Sequence, residues 1–116
     1  MRKIDWDENG PLENWQRAVL AFARRARAEL GDRIVHIILY GSRVRGDYTE
    51  DSDIDVLVVV RDIDAKEADE RISPFAYDVL DEYEELLFAS VVTEAEYVAR
   101  QARSFYINVA EEGVTV

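Results

Sequence analysis

Apolar residues recur three or four apart from Leu12 through Trp15, Val19, Phe22 and Ala26 to Leu30, which predicts one surface helix over about Pro11 to Leu30, its stripe on a core. Pro11 suits a first helical position and Gly31 a C-terminal stop, so both ends are marked. Arg17, Arg24 and Arg27 fall on the opposite, solvated face. The pattern then changes. Arg33 to Tyr40 is short and rich in β-branched residues, which predicts a strand buried on both faces, and Ile54 to Val60 predicts a second. Gly41, Gly46, Asp47 and Thr49 mark the loop between them; at about a dozen residues it is too long for a tight hairpin and can hold a helical turn.

Asp62 to Ile72 is polar and helix-compatible, and Ser73-Pro74 reads as the cap and first turn of another helix, ending near Glu84. Leu86 to Val92 predicts a third strand. Thr93 and Glu96 have the spacing of a capping box for a helix to about Arg103, and a last short helix over Phe105 to Glu112 stops at Gly113. This order predicts an α+β fold: a small mixed β-sheet with helices packed on one side. No repeat, low-complexity tract or linker divides the chain, so residues 1–116 are expected to form a single domain, with strand order and direction left open.

Composition narrows the chemistry. The chain has no cysteine, which excludes disulfides, thiolate zinc sites and a cysteine nucleophile. Its only histidine, His36, cannot form a histidine metal site by itself and is expected to be a hydrogen-bonded packing residue of the first strand. The net charge of −11 argues against direct nucleic-acid binding. Residues 1–46 carry nine Lys/Arg against six Asp/Glu, and residues 47–116 five against nineteen, so the acidity lies in the second part. With no apolar run of membrane length and a charged first segment, no membrane association and a cytoplasmic location are expected.

The chemistry concentrates between Gly41 and Asp55. A glycine after a buried strand lets backbone approach a ligand, and Ser42 offers a hydroxyl and an amide where a helical turn would begin, a natural cradle for phosphate. Arg43 and Arg45 add cationic donors, and Gly46 lets the chain turn back. Asp53 and Asp55, two apart on a strand, point to one face, and Ile54 and Val56 to the other. Converging carboxylates repel, and a divalent cation relieves this while bridging to triphosphate oxygens; magnesium suits such oxygen ligands. Alone, the Asp-X-Asp would read as a polar entrance to an apolar strand, and Gly-Ser as an ordinary turn. Their combination at this spacing favours a site.

Gly41-Ser42, followed after a loop by Ser52-Asp53-Ile54-Asp55 and an apolar strand, resembles the signature of the polymerase-beta-type nucleotidyltransferase superfamily. The short length resembles its minimal nucleotidyltransferase (MNT) branch, and Ser104 to Val114 looks like the end of such domains. The resemblance implies a nucleotidyltransferase fold in which Asp53 and Asp55 are catalytic and hold Mg2+. It also implies that Gly41, Ser42, Arg45 and Gly46 contact the triphosphate. An acceptor hydroxyl would then attack the α-phosphorus of ATP and release pyrophosphate. It further implies a HEPN-domain toxin as partner, with this chain as the antitoxin that transfers AMP to a tyrosine of the toxin. A homo- or hetero-oligomer is compatible with so small a chain.

A third carboxylate on a later strand commonly completes such sites and can act as base. The predicted third strand is apolar from Leu86 to Val92, with only Glu84 and Glu85 at its entrance. This gap leaves an alternative: a non-catalytic antitoxin that blocks its partner sterically and keeps a degenerate nucleotide site.

Overall fold

A computed structural model describes residues 1–116. The predicted first helix is α1, Asn14–Leu30, starting after Pro11 because Glu13 caps it reciprocally with Gln16. The Glu13 amide donates to the Gln16 side-chain oxygen at 2.8 Å. Trp15, Val19, Phe22, Ala26 and Leu30 are buried as the stripe requires, while Leu12 lies before the helix and is half-buried. The helix stops at Gly31, whose amide bonds to the Arg27 carbonyl. A 3₁₀ turn over Gly31–Arg33 leads into a strand, Ile34–Tyr40.

With it the sheet has five strands. In chain order they are β1 (Arg2–Lys3), β2 (Ile34–Tyr40), β3 (Ile54–Val60), β4 (Leu87–Thr93) and β5 (Val114–Thr115), arranged spatially β1-β5-β2-β3-β4. β2 and β3 run antiparallel with Tyr40 opposite Asp55, and β3 and β4 run parallel with Phe88 beside Asp55. The loop between β2 and β3 does hold a helical turn, α2, Ser42–Arg45. β1 and β5 escape the sequence reading because two residues show no periodicity.

The parallel connection from β3 to β4 is one helix, α3, Ala65–Tyr83, where two were expected. Pro74 lies inside it on an exposed position, and Ala68, Ile72 and Val79 on either side are fully buried along one stripe. Packing of that stripe outweighs the hydrogen bond a proline forfeits. After β4, Thr93 caps α4, Glu94–Ala99, by accepting from the Glu96 amide at 3.1 Å. This helix ends four residues short of Arg103, and α5, Ser104–Glu112, follows and stops at Gly113.

The two long helices, α1 and α3, pack on one side of the sheet, where Ile37, Leu39, Ile54, Val56, Val58 and Val60 meet Val19, Phe22, Ile72 and Val79. Each such buried side chain contributes roughly 1.5–3 kcal/mol. A bulge between Ile34 and His36 restores Ile34 to this face. The opposite side is not bare: Ile38, Leu57, Val59 and Val92 lie under Tyr106 and Val109 of α5. No helix is long and apolar enough to cross a membrane.

Candidate active site

The site forms where β2 ends beside the start of β3. Because Tyr40 pairs with Asp55, the next residue, Gly41, passes directly over the Asp55 carboxylate. Its backbone, with φ +85° and ψ −160°, is one that L side chains rarely adopt, and a Cβ there would stand 2.6 Å from Asp55 Oδ2. Only glycine fits both demands. From it α2 rises, the amides of Val44 and Arg45 each donating to the Gly41 carbonyl at 3.1 Å. Gly46, in the left-handed region, ends the turn with its amide on the Ser42 carbonyl at 2.9 Å. Ser42 is half-buried at the turn's start.

Asp53, exposed, and Asp55, partly buried, share the face of β3 that also carries Leu57 and Val59. Burial first, then the neighbouring Asp53 charge, holds the Asp55 carboxyl above the ordinary aspartate range; Glu112 adds to this and Arg45 opposes it. The Tyr40 hydroxyl is likewise raised, by burial and then by the Asp55 charge. These shifts place Asp53, Asp55, Tyr40, Arg45 and Glu112 in one electrostatic neighbourhood.

Glu112 is the residue that sequence reasoning missed. Its Oε1 accepts from the Gly41 amide at 3.0 Å, and both its oxygens accept from Arg45 at 3.3 Å. Gly41 and Arg45, two expected phosphate donors, thus converge on one carboxylate. The available signal was its place as the last residue of a helix closed by Gly113; no local pattern says which strand end that helix reaches.

The two arginines of α2 part company. Arg43, expected beside Arg45 as a phosphate donor, turns to the opposite side and is 6% exposed. Its guanidinium lies 4.5 Å from the Tyr48 ring centroid and 5.2 Å from that of Trp15. It donates to the Ser52 carbonyl at 2.8 Å and pairs with Glu85 at 3.5 Å. Arg43 therefore ties the loop's far end, next to Asp53, to the helical layer. Arg45 remains exposed, between Asp47 and Glu112.

Neither acid at the entrance of β4 reaches the Asp pair. Glu84 is the exposed, left-handed cap of α3, and Glu85 is held by Arg43 and Asn14 on the helical side. Along β4 the positions facing the site are Phe88 and Ser90. His36 is exposed beside Tyr97, ring centroids 6.2 Å apart, and pairs with Val59, remote from Asp55; it is not the hydrogen-bonded packing residue expected.

This constellation joins a glycine-led helical turn to a same-face carboxylate pair. The profile of the family described as "Nucleotidyltransferase domain" matches residues 22–112, which span α2, Asp53, Asp55 and Glu112. The chain belongs to the nucleotidyltransferase domain family. A Methanocaldococcus jannaschii protein whose name proposes a protein adenylyltransferase is 36% identical over 100 residues, covering 86% of this chain and 95% of its own length. Among solved structures, a toxin–antitoxin complex with AMP-PNP matches with a TM-score of 0.55 at 19% identity, covering 81% of this chain and 68% of the other. A proposed nucleotidyltransferase from Sulfolobus solfataricus matches with a TM-score of 0.51 at 18% identity, covering 94% of this chain and 90% of the other. These likenesses show the five-strand α+β nucleotidyltransferase fold.

The acidic pair of this nucleotidyltransferase domain has no third His, Asp or Glu grouped with it as a metal cage. Such an arrangement fits magnesium, which takes one or two carboxylates and completes its shell with water and phosphate oxygens. The raised Asp55 carboxyl has the same cause, two acids held close in partial burial, and a bound cation would relieve it.

Proposed function

We propose that this protein transfers AMP from magnesium-ATP to a tyrosine hydroxyl of a HEPN-domain toxin and thereby acts as its antitoxin. The observation that carries this reading is the seating of Gly41 against Asp55, which sets the glycine-led turn beside the acidic pair. Gly41, Ser42, Arg45 and Gly46 would hold the triphosphate, with Glu112 yielding or sharing its donors. Asp53 and Asp55 would hold magnesium, which when bound neutralises phosphate charge during displacement. The acceptor oxygen attacks the α-phosphorus as the bond to pyrophosphate breaks. The name of the M. jannaschii relative supports protein as acceptor, and the likeness to a toxin–antitoxin complex is compatible with a toxin as partner.

Incubation with magnesium, ATP labelled at the α-phosphate and the cognate HEPN protein is expected to label a tyrosine of that protein. Asp53→Ala with Asp55→Ala should abolish the label while the circular dichroism spectrum is retained. An unlabelled partner with the unaltered chain would overturn the reading.

Phe88 and Ser90, standing where an acid would complete the site, support a second reading: an antitoxin that acts by binding alone. On that reading the Asp53→Ala, Asp55→Ala variant still neutralises the toxin; on the first it does not.

A further inference from the structure

The two edges of the sheet are unlike. At one end β1 is two residues long and both are cationic, Arg2 and Lys3, a common device against strand addition. At the other end β4 runs seven residues, Leu87 to Thr93, with no charge, no proline and no break in its register with β3. Its surroundings are apolar and open. Phe88 is 52% exposed and Leu86, just before it, 44%. Tyr77 and Leu80 of α3 are 71% and 40% exposed, and with Leu86 and Phe88 they line a groove of about 250 Å³.

Acids bracket this edge. Glu84 precedes β4, Glu94 follows it, and Asp78 and Asp81 adjoin Tyr77 and Leu80 on α3, all exposed, whereas Glu85 and Glu96 are already paired with Arg43 and Arg100. A second copy of the chain is a poor occupant. Antiparallel pairing of two β4 edges would bring Glu84 of one toward Glu94 of the other, between molecules that each carry −11.

We propose that the free edge of β4 receives an extended apolar segment of a different protein, flanked at both ends by Arg or Lys. Main-chain hydrogen bonds to β4 supply the pairing, alternate apolar side chains enter the groove beside Leu86 and Phe88, and the terminal cations meet the flanking acids. The proposal deepens the transfer reading, on which one consequence rests. Phe88 sits beside Asp55, so a segment on the outer edge lies two strand spacings away, roughly 10 Å, and presents its other, intervening side chains to the Asp55 face. The edge thus doubles as a guide for the acceptor.

The test uses the full chain and two synthetic peptides of alternating valine and threonine with a central tyrosine, one ending in arginines and the other in glutamates. The arginine-ended peptide is expected to protect amides of Leu86–Thr93 from hydrogen exchange, less so at high salt, and to bind about tenfold or more tightly than the glutamate-ended one. Tyr77→Lys with Leu86→Lys, both exposed groove positions outside the site, should weaken it comparably while magnesium-ATP binding persists. Equal binding of the two peptides, protection elsewhere, no protection, or self-association through Leu86–Thr93 would overturn the proposal. The peptide comparison needs no variant. Protection at β4 in a chain that binds no magnesium-ATP would refute the transfer reading and leave the docking edge standing.

Discussion

The two faces of β3 differ in what covers them. Ile54, Val56, Val58 and Val60 lie fully buried beneath α1 and α3. On the other face Leu57 and Val59 are sealed by α5, but Asp55 and Asp53 fall where the covering thins. A period of two residues therefore separates stability from candidate chemistry along one strand. α2 repeats the division by another period: Arg43 and Arg45 are two apart on a helical turn, roughly 200° around it, so one enters the helical layer and the other faces the acids. Neighbouring residue positions of one motif, one or two apart, thus serve different ends.

The division is tested most severely by exchanging the arginines for alanine. Arg43→Ala removes the cation between Trp15 and Tyr48 and leaves Glu85 unpaired, so denaturant melts should show a loss of about 3 kcal/mol. Arg45→Ala, at an exposed position, should leave the melt unchanged and weaken ATP binding about tenfold. The reverse order of stabilities would break the comparison.

Gly41→Ala probes the seam between the faces. The forced Cβ meets the Asp55 carboxylate in a backbone conformation that only glycine holds easily, so a stability loss of about 1–3 kcal/mol is expected together with loss of AMP transfer. Transfer retained at the unaltered rate would show that the close approach has no role in positioning Asp55.

The smallest effect concerns proton linkage. Asp55 is held above the aspartate range when folded, so the protonated form binds the fold better than the ionised form. Stability from this group is present below the unfolded aspartate value and lost as pH rises through the folded one. Asp55→Asn is therefore expected to melt slightly higher than the unaltered chain at neutral pH, the advantage shrinking on acidification, and to lose transfer. A variant that melts lower at neutral pH would contradict the electrostatic account of the pair.

Much of this division was legible in the chain itself, because it rests on local periods. The stripe of α1, the parity of Asp53 and Asp55, the turn at Gly41 and the Thr93 cap each follow from residues within a few positions of one another. The reading failed where distant packing overrode local preference. Pro74 marks a helix start by itself, yet lies inside α3 because the buried positions around it share one stripe. Arg43 matched Arg45 as a phosphate donor until Trp15, from α1, provided a ring to stack against.

By itself the sequence determined the α+β class, the glycine-led turn at Gly41-Ser42 and the shared face of Asp53 and Asp55, since these depend on backbone geometry over short spans. Tertiary structure decided the strand order, the burial of Arg43, the entry of Glu112 beside Gly41 and Arg45, and the unblocked edge of β4. Each of those depends on which parts of the chain, far apart along it, come to lie together, and no short-range period encodes that.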